Sequence, residues 1–118
     1  MKRDDTIYLQ HIVDAIAKTE AYLENVDEAT FNRNTLIQDA VIRQIEIIGE
    51  AAKHLSRPLR KKYQFVPWSD MAGMRDKLIH AYFGVDITQV WLTATDDLPQ
   101  LKPVLEEIIK ELRTAAVD

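Results

Sequence analysis

Four side chains that can do chemistry lie close together in the second half of the chain: Arg75, Asp76, His80 and Tyr82. An imidazole titrates near neutral pH, so His80 is suited to proton transfer. A guanidinium carries a permanent charge, so Arg75 is suited to holding an anion. On a helix, Asp76 would share a face with His80 and could hydrogen-bond it, which would fix the tautomer of the imidazole. We call residues 75–82 the Arg–His segment.

Arg75 is a charged residue at a position where the sequence pattern predicts an apolar helix face. At about 100° per residue, a helix over 68–82 would place it in the middle of an apolar face. The apolar members of that face are Trp68, Met71, Ala72, Leu78, Ile79 and Tyr82. Because an unpaired buried arginine is costly, Arg75 either pairs with a carboxylate, for which Glu50 is a candidate, or faces a cavity or a partner subunit. The structural alternative is that only its aliphatic stem enters the core.

The neighbours of Arg75 also have purely structural interpretations. His80 could cap or pack near a helix end, and Tyr82, which returns to nearly the same helical face as Arg75, could close the core. Gly73 inside a helix costs about 1 kcal/mol relative to alanine. Such a glycine often marks a close backbone approach, so it predicts a tight seam beside His80.

The spacing of Arg75 and His80 favours a dimer. Five positions on a helix separate two side chains by about 140°, so one chain does not direct both at a single point. A two-fold axis beside this helix would bring two copies of the Arg–His segment into one cleft. The sequence therefore predicts a homodimer whose interface includes helix 68–82.

The periodicity of apolar residues predicts an all-α fold. They recur every three or four positions, as on one face of an amphipathic helix. Helices are expected over about 4–23, 35–55, 58–63, 68–82, 87–94 and 98–113. These helices should pack as an antiparallel bundle in one domain, residues 1–118.

Several residues are expected to begin or end these helices. Asp5 or Thr6 should cap the first helix, and Asp86 should cap the fifth. The pair Asp96-Asp97 should cap the last one, and Gly84 should stop the helix that carries the Arg–His segment.

Composition narrows the class of function. The 118 residues include no cysteine, so disulfide scaffolds, thiol catalysis and cysteine-ligated zinc are excluded. No apolar run approaches the roughly 18 residues of a membrane span, and the first residues are unlike a signal peptide, so we expect a cytoplasmic protein. His11, His54 and His80 are far apart in sequence, and no zinc-type spacing is present. We therefore expect no metal and no cofactor.

The net charge of −4 restricts any nucleic-acid contact to a local surface or to an assembly. Residues 51–69 contain no acidic residue, and we call their five cations the basic patch: Lys53, Arg57, Arg60, Lys61 and Lys62. Tyr63 and Phe65 could stack on RNA bases beside it. A solvated basic face with no ligand is the alternative.

The sequence Arg75-Asp76-x-x-x-His80-x-Tyr82 resembles the R-x4-H-x-Y signature of HEPN-superfamily ribonucleases, including the polar residue after the arginine. Flanking residues extend the likeness to the HepT-like toxin family over nearly the whole chain. They are Asp39-Ala40-Val41-Ile42-Arg43, Ile47-Ile48-Gly49-Glu50-Ala51-Ala52, Pro67-Trp68, Gly73-Met74, His80-Ala81-Tyr82-Phe83-Gly84-Val85-Asp86 and Trp91.

The resemblance implies a metal-independent endoribonuclease toxin and a small nucleotidyltransferase antitoxin of the MNT type. It implies a homodimer with a composite site, in which Arg75 and His80 are catalytic and Asp76 and Tyr82 support them. It further implies that the antitoxin can adenylylate Tyr82, which would add bulk and negative charge beside Arg75 and block RNA.

Two other functions remain open at this point. The chain could be a non-catalytic helical partner that binds a nucleotide or substrate for a nucleotidyltransferase, with Arg75 and His80 holding phosphate without cleaving it. It could also be a structural dimerisation module in which these two residues only hold the interface. Growth arrest on expression of the chain alone distinguishes the toxin from both.

Overall fold

The computed structural model describes residues 4–74, 76, 79–80 and 84–117, with only the backbone described for 79–80 and 116–117. The described chain is mostly helical, which confirms the all-α prediction. The helices are α1 (Asp5–Tyr22), α2 (Glu28–Arg33), α3 (Thr35–Lys53), α4 (Arg57–Lys62), α5 (Trp68–Ala72), α6 (Ile87–Leu92) and α7 (Leu98–Val117). A π-helical turn, Thr93–Asp97, joins α6 to α7, and two short strands, β1 (Ile79–His80) and β2 (Gly84–Val85), follow α5.

The core lies where α1 packs against α3 on one side and against α7 on the other. Each helix buries the apolar stripe that its periodicity predicts. The buried residues of these stripes include Leu9, Ile12 and Ile16 of α1, Val41, Ile45 and Ile48 of α3, and Leu105, Ile108 and Ile109 of α7. No helix among the described residues is both long enough and apolar enough to cross a membrane.

The start of α1 is capped differently from the prediction. Asp4, and not Asp5 or Thr6, is the cap: its carboxylate accepts a hydrogen bond from the backbone N–H of Thr6 at 3.0 Å. Asp5 instead accepts two hydrogen bonds from Ser56, one from its backbone N–H at 2.8 Å and one from its hydroxyl at 2.6 Å. Ser56 is the cap of α4, so this contact fixes the start of α4 against the start of α1.

The prediction of one helix over 68–82 is wrong. Helix α5 ends at Ala72 with Gly73 as its C-cap. Ile79 and His80 are extended and pair with Val85 and Gly84 in an antiparallel ladder. Gly84 has φ +83°, a conformation that costs residues with a Cβ and that glycine adopts freely. It therefore shapes a hairpin and does not stop a helix.

A close backbone approach occurs at Gly49 of α3, while the seam expected beside Gly73 and His80 stays a prediction. A Cβ on Gly49 would lie 3.4 Å from the carbonyl oxygens of both Met71 and Ala72. Gly49 is buried, so α5 rests directly on α3 at this point. Gly49 thus holds α5 in place immediately before the Arg–His segment.

The predicted break before the last helix is also absent. Asp86 caps α6 as expected, accepting from the backbone N–H of Gln89 at 3.1 Å. The chain then continues through the π turn into α7, so Asp96 and Asp97 belong to that turn and cap no new helix. Pro103 lies inside α7 without ending it.

Candidate functional site

The Arg–His segment is only partly described. The backbone of His80 is fixed in β1 opposite Gly84. Asp76 is exposed. The predictions that concern the positions of Arg75, Tyr82 and the His80 side chain lie outside the described residues.

The hairpin removes the helical geometry on which part of the site prediction depended. Because His80 is on a strand, the 140° separation from Arg75 does not apply, and neither does the helical face assigned to Asp76 and His80. The dimer therefore rests on the family resemblance and no longer on this angle.

A cleft with a volume of about 860 Å³ opens beside the Arg–His segment. Its lining includes Met74, the residue before Arg75, and Asp86, the residue after β2. Met71 and Met74 are buried and form an apolar floor. This volume is within the range of about 300–1,000 Å³ that is usual for small-molecule sites.

The exposed part of the cleft lining is acidic and polar. Three carboxylates, those of Asp70, Asp86 and Asp97, line it together with the amides of Gln89 and Gln100. The described part of the lining therefore offers carboxylate and amide oxygens that accept hydrogen bonds. It suits a neutral or cationic group that donates hydrogen bonds.

The basic patch lies on the end of α3 and on α4, and all five of its side chains are exposed. Arg60, Lys61 and Lys62 occupy the last turn of α4, where cations also stabilise the helix dipole. Arg57 is in the first turn, where a cation is unfavourable to the dipole, so helix stability does not account for it.

Of the two aromatic residues proposed for stacking, one is suitable. Phe65 has 72% of its surface exposed beside α4. Tyr63 is only 6% exposed, with Lys62 Nζ lying 5.4 Å from its ring centroid, so the prediction that it stacks on RNA is wrong. Its backbone carbonyl accepts a hydrogen bond from the indole of Trp68 at 3.0 Å, which ties the turn after α4 to α5.

A smaller pocket of about 290 Å³ connects the basic patch to the cleft. Arg60 lines it at one side, and Pro67 and Asp70 line both this pocket and the cleft. The smaller pocket and the cleft therefore adjoin at Pro67 and Asp70.

The candidate partner for Arg75, Glu50, has a different contact. Its carboxylate lies 3.3 Å from Nε2 of His54, and the His54 ring stacks on Tyr8 with centroids 5.0 Å apart. Arg43 of the same helix lies 4.0 Å from Glu46. These residues line a shallow groove between α1 and α3. Across the described part of the chain, no group of three His, Asp or Glu side chains is arranged to hold a metal ion.

The sequence did not reveal the cleft. Asp97 and Gln100 come from the π turn and α7, Gln89 from α6, and Asp70 from α5, so only the tertiary fold brings them together. The adjacent pair Asp96-Asp97 was a signal, but it is equally typical of a helix cap.

Comparison with known proteins places this chain among ribonuclease sequences. It is 46% identical over 95% of its length to "Gamma-glutamylcyclotransferase and putative RNase MJ0434" of Methanocaldococcus jannaschii, and it spans about half (50%) of that longer protein. It is 43% identical to "Putative RNase MJ0125" of the same organism, with 94% of this chain and 96% of the relative covered. It is 43% identical to "Probable ribonuclease HepT" of Thermococcus cleftensis, with 93% and 100% covered.

No solved structure matches the chain. The HepT-like family, described as Ribonuclease HepT-like, matches residues 12–108, which include the Arg–His segment and the residues that line the cleft. The chain therefore belongs to the HepT-like ribonuclease family.

Proposed function

We propose that this chain is a metal-independent endoribonuclease toxin, which acts in the cytoplasm and is controlled by a nucleotidyltransferase antitoxin. The observation that carries the proposal is the match to a ribonuclease family across residues 12–108, with the complete signature Arg75, His80 and Tyr82 inside it. The basic patch and the exposed ring of Phe65 support it, because together they form a surface suited to single-stranded RNA.

In this mechanism, His80 accepts the proton of a ribose 2′-hydroxyl or donates one to the leaving oxygen. The 2′ oxygen attacks the adjacent phosphorus, and the bond from phosphorus to the 5′ oxygen breaks. The products carry a 2′,3′-cyclic phosphate and a 5′-hydroxyl. Arg75 stabilises the charge on the phosphorane oxygens, and proton transfer by His80 contributes roughly 10²–10⁴ in rate.

The proposed assembly is a homodimer of HEPN-like antiparallel bundles with a composite site. Arg75 of one protomer would then act with His80 of the other. The proposed control is adenylylation of Tyr82: its phenol oxygen attacks the α-phosphorus of ATP, loses its proton and releases pyrophosphate. The added phosphate would compete with RNA for Arg75.

The experiment is cleavage of single-stranded RNA by the purified chain in the presence of EDTA. We expect full activity in EDTA and a loss of at least about a hundredfold in His80→Ala and in Arg75→Ala. Mass spectrometry of the products should find the cyclic phosphate.

Matched controls come from the same residue types on α1 and α7. His11→Ala and Arg113→Ala replace exposed residues that do not belong to the signature, and both should keep full activity. Circular dichroism checks that all four variants fold. Cleavage that persists in His80→Ala, or that EDTA abolishes, contradicts the mechanism. RNA binding by the wild type with no cleavage and no growth arrest favours the non-catalytic partner instead.

A further inference from the structure

The cleft beside the Arg–His segment has the chemistry of a nucleobase site. Its floor consists of the buried Met71 and Met74, whose polarizable side chains adapt to a flat ring. Its exposed lining combines hydrogen-bond acceptors with two amide side chains. Small-molecule sites in proteins commonly combine an apolar floor with a few polar groups in this way.

The π turn supplies two of the lining residues, Thr93 and Asp97. A π turn adds a residue within a helix, so it changes the direction of the side chains that follow, and such turns are frequent at functional sites. Thr93 is buried and Asp97 is exposed. Without the π turn, α6 and α7 would present a different set of side chains to the cleft.

The charges of the cleft restrict its occupant. Among the described lining residues, the carboxylates of Asp86 and Asp97 are suited to accept hydrogen bonds from an exocyclic amino group and unsuited to hold a phosphate. Asp86 already accepts from the backbone of Gln89, and Gln100 donates to Asp96 at 2.9 Å, so both side chains are held in place. Asp97 is the lining carboxylate on the π turn, which makes it the best residue for a test.

We propose that the cleft binds one base of the substrate RNA and selects bases that carry an exocyclic amino group over uracil, with Asp97 as a specificity-determining residue. This inference rests on the proposed ribonuclease function. The RNA backbone lies on the basic patch and the smaller pocket beside it, while the base enters the acidic cleft. Opposite charges on adjoining surfaces thereby separate the phosphate from the base.

The test uses oligoribonucleotides that differ at a single position near the cleavage site. Adenosine and purine riboside differ only in the 6-amino group, and cytidine and uridine differ in the 4-amino group. The wild type should cleave the amino-bearing member of each pair about fivefold faster or more, since contacts to a base edge discriminate at that level. Asp97→Asn replaces one acceptor oxygen with a donor. The preference should therefore disappear, and the rate of cleavage at uridine should rise.

The control is Asp14→Asn, which makes the same chemical change at an exposed residue of α1 outside the cleft lining, and it should keep the wild-type preference. Equal cleavage of both members of each pair at every position by the wild type overturns the inference. So does a preference that Asp97→Asn leaves unchanged. Loss of nucleotidyltransferase binding in Asp97→Asn with unchanged base preference would assign the cleft to a cationic side chain of that partner.

If the wild type cleaves no RNA, the proposed ribonuclease function is wrong. The base site is then tested by nucleoside binding alone. Cytidine and uridine are titrated separately while the NMR methyl signals of Met71 and Met74 are followed. Shifts with cytidine that are weaker with uridine and lost in Asp97→Asn support the base site. Absence of shifts, or equal shifts with both nucleosides, overturns it.

Discussion

Tyr82 offers the sharpest test of control at the scale of a single residue. Tyr82→Phe keeps the ring and removes only the hydroxyl that would accept an adenylyl group. We expect the variant to fold and to escape modification by the nucleotidyltransferase, so that any ribonuclease activity it retains resists inhibition by that enzyme. Intact mass spectrometry after co-expression should find an added mass of one or more AMP units on the wild type and none on the variant.

Tyr8→Phe is the matched control for this change, because Tyr8 lies on α1, stacked on His54, and does not belong to the signature. It should be modified as fully as the wild type. AMP units that remain on Tyr82→Phe would place the acceptor elsewhere in the chain.

Single residues also show what sequence alone could assign. The signature residues Arg75, His80 and Tyr82 were recognisable because the motif is defined by residue type and spacing. The roles of Tyr63 and Phe65 were not separable, since both are aromatic residues after a basic run and only the fold buries Tyr63. Burial depends on where α4 and α5 meet, which no local pattern encodes.

At the scale of elements, α4 and the turn that follows it should bind RNA. Phe65→Ala should weaken the binding of a single-stranded RNA to the His80→Ala chain by about fivefold to a hundredfold, because stacking of one base contributes roughly 1–3 kcal/mol. Fluorescence anisotropy at fixed salt measures the Kd. Lys61→Gln should lower the slope of log Kd against log salt by about 0.7, the value for one phosphate contact with a single strand.

The controls for this element come from other helices. Leu36→Ala removes a side chain at the start of α3 that is 80% exposed, even more than Phe65, and it should leave the Kd unchanged. Lys110→Gln removes an exposed charge of α7 and should change the salt slope less than Lys61→Gln does. Equal effects at Leu36 and Phe65 would mean that RNA does not use the turn after α4.

The elements also show where sequence periodicity fails. The long helices α1, α3 and α7 were predicted within a few residues, because each carries a buried stripe over many turns. Residues 73–82 have a helical pattern too, yet a turn at Gly73 ends α5, and Ile79 and His80, beyond the helical Met74 and Asp76, pair with β2. Local propensity is a weak influence over such a short stretch, so tertiary contacts decide its conformation.

Gly84 was informative but was assigned the wrong role. Its position after an apparent helix is typical of a C-cap, and a glycine in the left-handed region of φ serves equally well in a hairpin. The π turn had a similar ambiguity, because Asp96-Asp97 followed by Pro99 is the usual pattern of a new helix start. In both cases a local sequence signal is compatible with two different backbone structures, and the sequence alone does not choose between them.

At the scale of the whole molecule, charge is separated between two adjoining surfaces. The chain is acidic overall, with a net charge of −4, yet the basic patch of α3 and α4 adjoins an acidic cleft. Nonspecific attraction to RNA should therefore be strongest at the basic patch, and binding should depend on how that patch is presented in the assembly. A dimer that joins two Arg–His segments would also present two basic patches to one strand.

The dimer makes a prediction that a monomeric enzyme does not share. If Arg75 of one protomer acts with His80 of the other, a heterodimer of Arg75→Ala and His80→Ala chains contains one intact pair. Co-expressed chains with two different tags, purified through both tags, should regain cleavage well above that of either homodimeric variant. Light scattering should report twice the chain mass of 13.6 kDa. A monomer at micromolar concentration, or a doubly tagged heterodimer as inactive as its parents, would show that each chain must supply both residues to its own site.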